Sequence, residues 1–159
     1  MIIALTTCGK IGFKLPAPGT IGSIIGIGTF VLFYYSLNTF SPFLYAFLLG
    51  LAVYGSIVLC GEAEKRLEQK DPPAVILDEM VAIPFCFIGL DVFLYKSNVW
   101  LVLLSGFVLF RLFDIFKPFP VYSLQKLPGG LGIVVDDLAA ALLTSVVLNT
   151  IFRVSFHYS

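Results

Sequence analysis

Two acidic pairs, Asp78-Glu79 and Asp136-Asp137, lie inside or at the edge of long apolar runs, and Asp114 stands between Arg111 and Lys117 just after another. Charges placed there are costly. A carboxylate at a bilayer centre costs roughly 2.5–3.5 kcal/mol on insertion scales, and adjacent carboxylates also repel each other. A divalent cation, basic partners or the membrane surface must offset that cost. Asp and Glu are hard oxygen ligands, and several around one point suit Mg²⁺, which keeps some of its waters and commonly bridges to phosphate. Helix capping is the plainer use of an acid in a first turn. Two pairs plus Asp114, all on one side of the chain's apolar segments, favour a cation site over capping.

Arg111, Asp114 and Lys117 follow one another at i, i+3 and i+6, which puts them on one stripe of a helix. Arg offers a forked grip on a phosphate and Lys a point charge. The same residues also suit a basic interfacial anchor with an internal Arg–Asp pair. Two glycine-rich pieces accompany them. Pro18-Gly-Thr-Ile-Gly-Ser23 brings Gly19, Thr20, Gly22 and Ser23 to a helix start, and Gly129-Gly-Leu-Gly132 brings Gly129, Gly130 and Gly132 ahead of Asp136-Asp137. Glycine lets backbone N–H groups approach an anion closely. Neither piece is a nucleotide loop, because no Lys-Ser or Lys-Thr follows. Gly22 and Gly26 also suit close helix packing.

Cys60 and Arg66 stand at the C-x5-R spacing of thiol-dependent phosphatases, but Glu62 and Glu64 would fall inside the loop and repel both phosphate and thiolate. The stretch reads instead as a charged helix with Glu62 and Arg66 at i, i+4. His157 has no partner near it in sequence and reads as a surface residue. Tyr95 and Trp100 read as interfacial aromatics.

The elements that carry these residues must work in lipid. Of 159 residues, 58% are hydrophobic and 13% charged, with sixteen Phe and seven Tyr. Soluble domains average about 45–50% and about 25%. The formal net charge is zero, which leaves no electrostatic case for a nucleic-acid partner. Three cysteines without metal-type spacing read as buried thiols, the odd count arguing against a disulfide framework. Met1 to Leu5 lacks the marks of a cleavable signal, so the first long apolar run is expected to be a retained span.

Apolar runs occupy residues 21–37, 43–60, 74–90, 99–110 and 138–152. Several reach the ~20 residues of a full span only by including their polar ends. The expected fold is therefore all-α: a polytopic membrane helical bundle forming one domain over residues 1–159, with four to five transmembrane helices and further short or interfacial ones. Prolines punctuate the connections, and Pro84, inside the third run, predicts a kink. Lys10, Lys14, Lys65, Arg66, Lys70, Lys117 and Lys126 fall in alternate connections, whereas the others offer only Lys96 and Arg153. The positive-inside rule then places the N-terminus inside, with five helices and the C-terminus outside. On that topology both acidic pairs, the basic stripe and both glycine segments converge on the cytoplasmic face.

Taken together, the blocks Pro16–Ser23, Asp71–Glu79, Phe110-Arg-Leu-Phe-Asp-Ile-Phe-Lys-Pro-Phe-Pro120 and Gly129-Gly-Leu-Gly-Ile-Val-Val-Asp-Asp137 resemble the phosphatidylglycerophosphatase A family of bacterial membrane enzymes. The likeness covers most of the chain in the expected order. It implies Mg²⁺-dependent removal of the terminal phosphate of phosphatidylglycerophosphate, a phospholipid substrate, in the bacterial cytoplasmic membrane. Asp78, Glu79, Asp136 and Asp137 are then expected to hold Mg²⁺, with Asp78, Asp114, Asp136 and Asp137 as the catalytic acids. Arg111, Lys117 and the backbone of the two glycine segments are expected to position the phosphate. Two departures stand out: Ala82 and Ala141 occupy places where the family usually has glycine. The competing readings are a phosphatase for another membrane lipid monophosphate and a cation or proton transporter component. The latter would need acids near mid-membrane and polar residues reaching both faces.

Overall fold

A computed structural model of the chain describes residues 1–38, 41–91, 93 and 98–157. Tyr95 and Lys96 lie outside these, as does the side chain of His157. Every regular element among the described residues is helical, with no strand among them: α1 (Ile2–Thr6), α2 (Ile11–Lys14), α3 (Pro18–Phe33, extended by a π-turn), α4 (Pro42–Leu67), α5 (Leu77–Ala82, continued by a 3₁₀ turn at Ile83–Phe87), α6 (Val99–Phe116), α7 (Val121–Leu124) and α8 (Gly130–His157).

Local chemistry sets the helix ends. Proline opens α3 and α4 at Pro18 and Pro42, where its missing N–H costs no hydrogen bond. The Ser41 hydroxyl accepts from the Leu44 N–H, and the Asn98 side chain accepts from the Trp100 N–H, capping α4 and α6. At their other ends Glu68 and Lys117 turn into the left-handed region, with φ of 51° and 43°. Pro118 then forbids any continuation of α6.

Four helices, spanning Pro18–Ser36, Pro42–Leu67, Val99–Phe116 and Gly130–Ser155, are long and apolar enough to cross a membrane. Their outward faces are largely apolar, with charge gathered toward the ends. On α4, Phe43, Phe47, Leu51, Tyr54 and Val58 form one exposed stripe, and on α6 Leu101, Leu104, Val108, Leu112 and Ile115 form another. Water would not tolerate stripes of this extent, whereas lipid matches them. Helix α8 is the central post, with Val134, Ala140, Ala141, Thr144 and Leu148 fully buried.

The third apolar run is where the expectation of five full helices needs correction. Its α-helix is only six residues long, because Pro72-Pro73 precede it and Pro84 ends it in a 3₁₀ turn rather than merely kinking it. The segment nevertheless runs the length of α3. Glu79 lies beside Gly19, Met80 and Ile83 lie against Gly26, and Phe87 stacks on Phe30 with centroids 4.6 Å apart. Beyond it the Tyr34 hydroxyl donates to Asp91. Irregular backbone is tolerated at membrane depth when protein surrounds it, and here Ile76, Ala82, Ile83, Cys86 and Leu90 are fully buried. Small residues admit the close approach: a Cβ on Gly106 would come within 2.5 Å of the Phe87 ring. Ala82 and Ala141 both pack without exposure.

The C-x5-R stretch is helical, as α4 runs unbroken to Leu67. Cys60 is buried there, 3.6 Å from the Ser56 hydroxyl, and cannot present a thiolate to a phosphate. All three cysteines are free, with Cys60 and Cys86 buried. Trp100 is 75% exposed at the far end of α6.

Candidate active site

At the end of the bundle where α3, α5 and α8 begin and α6 stops, a recess of about 290 Å³ opens. Its wall carries six carboxylates, Asp71, Asp78, Glu79, Asp114, Asp136 and Asp137, against two bases, Arg111 and Lys117. Each side chain arrives from a different element. The first turn of α5 supplies Asp78 and Glu79, the last two turns of α6 supply Arg111 and Asp114, the α6 stop supplies Lys117, and α8 supplies Asp136 and Asp137. The latter pair lies in the second turn of α8, which starts six residues earlier at Gly130. Capping, which acts within the first turn, therefore does not explain them.

The two bases are already engaged. Arg111 Nη1 donates to Glu79 Oε1 and to Asp114 Oδ2, both at 2.8 Å, so one guanidinium nitrogen ties α5 to α6. Lys117 Nζ donates to Asp136 Oδ2 at 2.6 Å, tying the end of α6 to α8. Burial pulls the Lys117 ammonium down, yet its hydrogen bond to Asp136 and the charges of Asp136, Asp114 and Asp137 carry it above its ordinary value. Lys117 is thus a fixed cation at neutral pH.

The carboxylates are only partly satisfied. Asp78 Oδ1, Glu79 Oε2, Asp136 Oδ1 and Asp137 Oδ2 are buried without a hydrogen-bond partner, as is Arg111 Nε. Buried polar atoms are ordinarily paired, and charged ones left unpaired are expensive. The four oxygens belong to side chains that line one recess, and carboxylate oxygen is a hard ligand. Among the described residues no three His, Cys, Asp or Glu side chains are gathered tightly enough to hold one ion as they lie. That does not misfit Mg²⁺, which is usually held by one or two carboxylates together with water and substrate phosphate.

Three recess residues, Ala17, Asp71 and Lys117, take positive φ, at 54°, 49° and 43°. Backbone held in this sparsely populated region is stabilised by surrounding structure and gathers at functional sites. Here it turns the chain sharply beside the acids.

The glycine segments divide. Gly19 lines the recess, and a Cβ there would collide with Glu79 Oε1 and stand 3.0 Å from Arg111 Nη1. Gly22 does not line it but backs it, since a Cβ would meet Glu79 Oε2 at 2.5 Å. Thr20 lies off the recess wall, and the buried Ser23 hydroxyl donates to the Gly19 carbonyl at 2.9 Å. Gly130 is pressed onto α4, where a Cβ would run into the Ile57 carbonyl. Gly132 is pressed likewise onto the Leu127 carbonyl, and Gly129, at φ 59°, makes the turn that leads into α8. None of these three lines the recess. Gly130 sets how closely α8 approaches α4, and hence where Asp136 and Asp137 stand, while Gly132 packs the start of α8 on the connection after α7. Asp71 is the recess residue the sequence reasoning did not single out. Its signal was its place seven residues before Asp78, at the head of the same Pro-Pro block.

A many-span helical bundle with an acid-rich recess at one end, and two bases inside it, has the equipment of a membrane enzyme that handles phosphate. The profile described as phosphatidylglycerophosphatase A matches residues 4–152, and the chain belongs to that family of phosphatases. The Haemophilus influenzae protein named phosphatidylglycerophosphatase A is 36% identical over 144 residues, covering 88% of this chain and 82% of the relative. The Escherichia coli protein of the same name is 31% identical over 139 residues, covering 86% and 75%. A Bacteroides thetaiotaomicron relative, whose provisional name is phosphatidylinositol-3-phosphatase, is 30% identical over 140 residues, covering 86% and 84%. No solved structure matches the chain.

Proposed function

We propose that the chain hydrolyses the terminal phosphate monoester of phosphatidylglycerophosphate to phosphatidylglycerol and inorganic phosphate, with Mg²⁺ as cofactor. The observation that carries this reading is the unbalanced recess: six acids against two engaged bases, with four buried carboxylate oxygens left unpartnered. A phosphate dianion would be repelled from such a wall unless positive charge entered with it. Asp78, Glu79, Asp136 and Asp137 would hold Mg²⁺ directly or through water, and Asp114 would orient Arg111. When bound, the metal would neutralise phosphate charge and lower the pKa of a water.

The side chains divide the remaining work. Arg111, anchored through Nη1, has a buried and unpartnered Nε that would donate to a phosphate oxygen, and Lys117 supplies a second fixed charge. In hydrolysis a water oxygen bonds to phosphorus, the bond from phosphorus to the glycerol oxygen breaks, and that oxygen takes up a proton. A recess carboxylate would accept the proton that the water gives up. Trapping of a phosphorylated aspartate would instead reveal a covalent route.

The lysine and arginine pattern supports a bacterial cytoplasmic membrane location with the recess on the cytoplasmic side. The Bacteroides relative's name supports a second reading, a different lipid monophosphate as substrate. A transporter is disfavoured because Ile83, Phe110 and Leu148, fully buried, fill the bundle away from the recess. The deciding assay measures phosphate release from a panel of lipid monophosphates by purified protein with and without Mg²⁺. Release from phosphatidylglycerophosphate that stops with chelator is expected. Turnover that persists without divalent cations refutes the metal role, and preference for another lipid refutes the substrate. Asp78→Asn is expected to abolish release while the protein still reaches the membrane.

A further inference from the structure

Beside the acidic recess lies a second cleft of about 390 Å³, lined by Lys70, Asp71, Tyr122, Gln125 and Lys126. Asp71 is common to both, so a single side chain separates them. The charge of the outer cleft is opposite to that of the inner. Lys70 and Lys126 are exposed, and among the described residues neither is paired with a carboxylate, in contrast to Arg111 and Lys117. Gln125 Nε2 donates to Asp71 Oδ2 at 3.0 Å, holding the dividing carboxylate, and Lys126 Nζ lies 4.5 Å from the centre of the Tyr122 ring. The left-handed turn at Asp71 and the Pro118–Pro120 stretch ahead of α7 bring these two strands of connection together.

We infer that this outer cleft is the subsite for a second anionic group of the substrate, the phosphodiester that links diacylglycerol to the headgroup, with Lys70 and Lys126 as its cations. The inference rests on the phosphatase reading above and adds a basis for headgroup selection to it. A lipid whose terminal monoester occupies the acidic recess still carries its diester one glycerol away. The two clefts are likewise neighbours. A diester anion cannot follow the monoester inward, because the acids there are in excess and both bases are committed. It must find positive charge at the rim, and the lysines of this cleft supply it. A lipid with the monoester alone, such as phosphatidic acid, gains nothing from them, so the cleft favours substrates bearing both groups.

The test compares wild type with Lys70→Gln, Lys126→Gln and the double variant, purified in detergent. For phosphatidylglycerophosphate the double variant is expected to raise KM about tenfold with kcat within about twofold, the loss that follows from removing charged hydrogen bonds. Phosphatidic acid, as substrate or competitor, is expected to be unaffected. An unchanged KM, or an equal rise for both lipids, overturns the inference, the second outcome marking the lysines as general anchors to an anionic surface. Direct binding of phosphatidylglycerol in mixed micelles reads the cleft independently of turnover. Wild type is expected to bind it about tenfold more tightly than the double variant, and equal binding overturns the inference. A wild-type protein inert toward every lipid monophosphate would end the phosphatase reading itself.

Discussion

Asp136 and Asp137 are neighbours on α8, yet replacing each by Asn should move stability in opposite directions while both replacements stop phosphate release. Asp136 is 2.6 Å from Lys117 Nζ. At an effective dielectric constant of about 20 the gross attraction at that distance is about 6 kcal/mol, most of it offset by desolvation. Losing one partner of a fully buried pair costs about 3–5 kcal/mol. Lys117 keeps 21% side-chain exposure, so a loss of about 1–3 kcal/mol is expected for Asp136→Asn. Asp137 Oδ2 has no partner to lose, and its neighbours in the recess are mostly acids. Asp137→Asn replaces a buried carboxyl crowded by acids with a neutral amide that adds a donor among carboxylates, a gain of about 1–2 kcal/mol without divalent cation. For a chain of this size each kcal/mol shifts the melting temperature by about 2–4 °C. The assay is thermal unfolding in detergent without and with Mg²⁺, alongside phosphate release. Wild type should gain about 2.7 kcal/mol at a hundredfold excess of Mg²⁺ over its Kd, and both variants less. An Asp137→Asn protein that melts below wild type without Mg²⁺, or that keeps its turnover, refutes the reasoning.

Gly19→Ala should cost at least tenfold in phosphate release, because its methyl collides with Glu79 and crowds Arg111, whereas Gly28→Ala, whose methyl meets nothing within 4 Å, should leave activity unchanged. Activity assays on both variants check this, and equal activity would contradict the close approach at Gly19. The Lys117 contribution has a defined pH window. Its folded value is raised above 10.5, so the stability it adds is fully present below about 10.5 and is lost as pH rises through the folded value. The stability difference between wild type and Lys117→Gln should therefore stay constant from pH 8 to 9, as denaturation curves across that range would report. Arg111→Lys retains the charge and one nitrogen for Glu79 and Asp114, but loses the planar guanidinium with its second donor at Nε, and should lower both turnover and melting temperature. Full activity in that variant would show that point charge alone suffices.

Much of this arrangement can be read from residue order. The excess of apolar residues dictates lipid as solvent, and the prolines and glycines mark where most helices stop. Acids in apolar runs are too costly to be incidental, which makes Asp78, Glu79, Asp136 and Asp137 visible without coordinates. Their convergence follows from the alternation of charged connections, since successive crossings return every second loop to the same side. Other features need the third dimension. A run of apolar residues reads alike whether it forms one long helix or a buried chain of short turns, because hydropathy registers burial and not backbone hydrogen bonding. Residues 74–90 are the second kind, which only their packing against α3 discloses.

The chain's composition and punctuation alone determined a helical membrane protein with costly acids and bases on one side, because transfer energies and backbone restrictions belong to residues whatever surrounds them. Tertiary structure alone decided which charges meet. It gave Arg111 to Glu79 and Asp114, Lys117 to Asp136, and left Asp137 with an unpartnered oxygen. It also turned Gly130 and Gly132 toward helix packing and brought Asp71 to the recess wall. The reason is one of scale: ion pairing acts over a few ångströms between residues tens of positions apart, and no spacing along the chain encodes distances that arise only when separate helices pack.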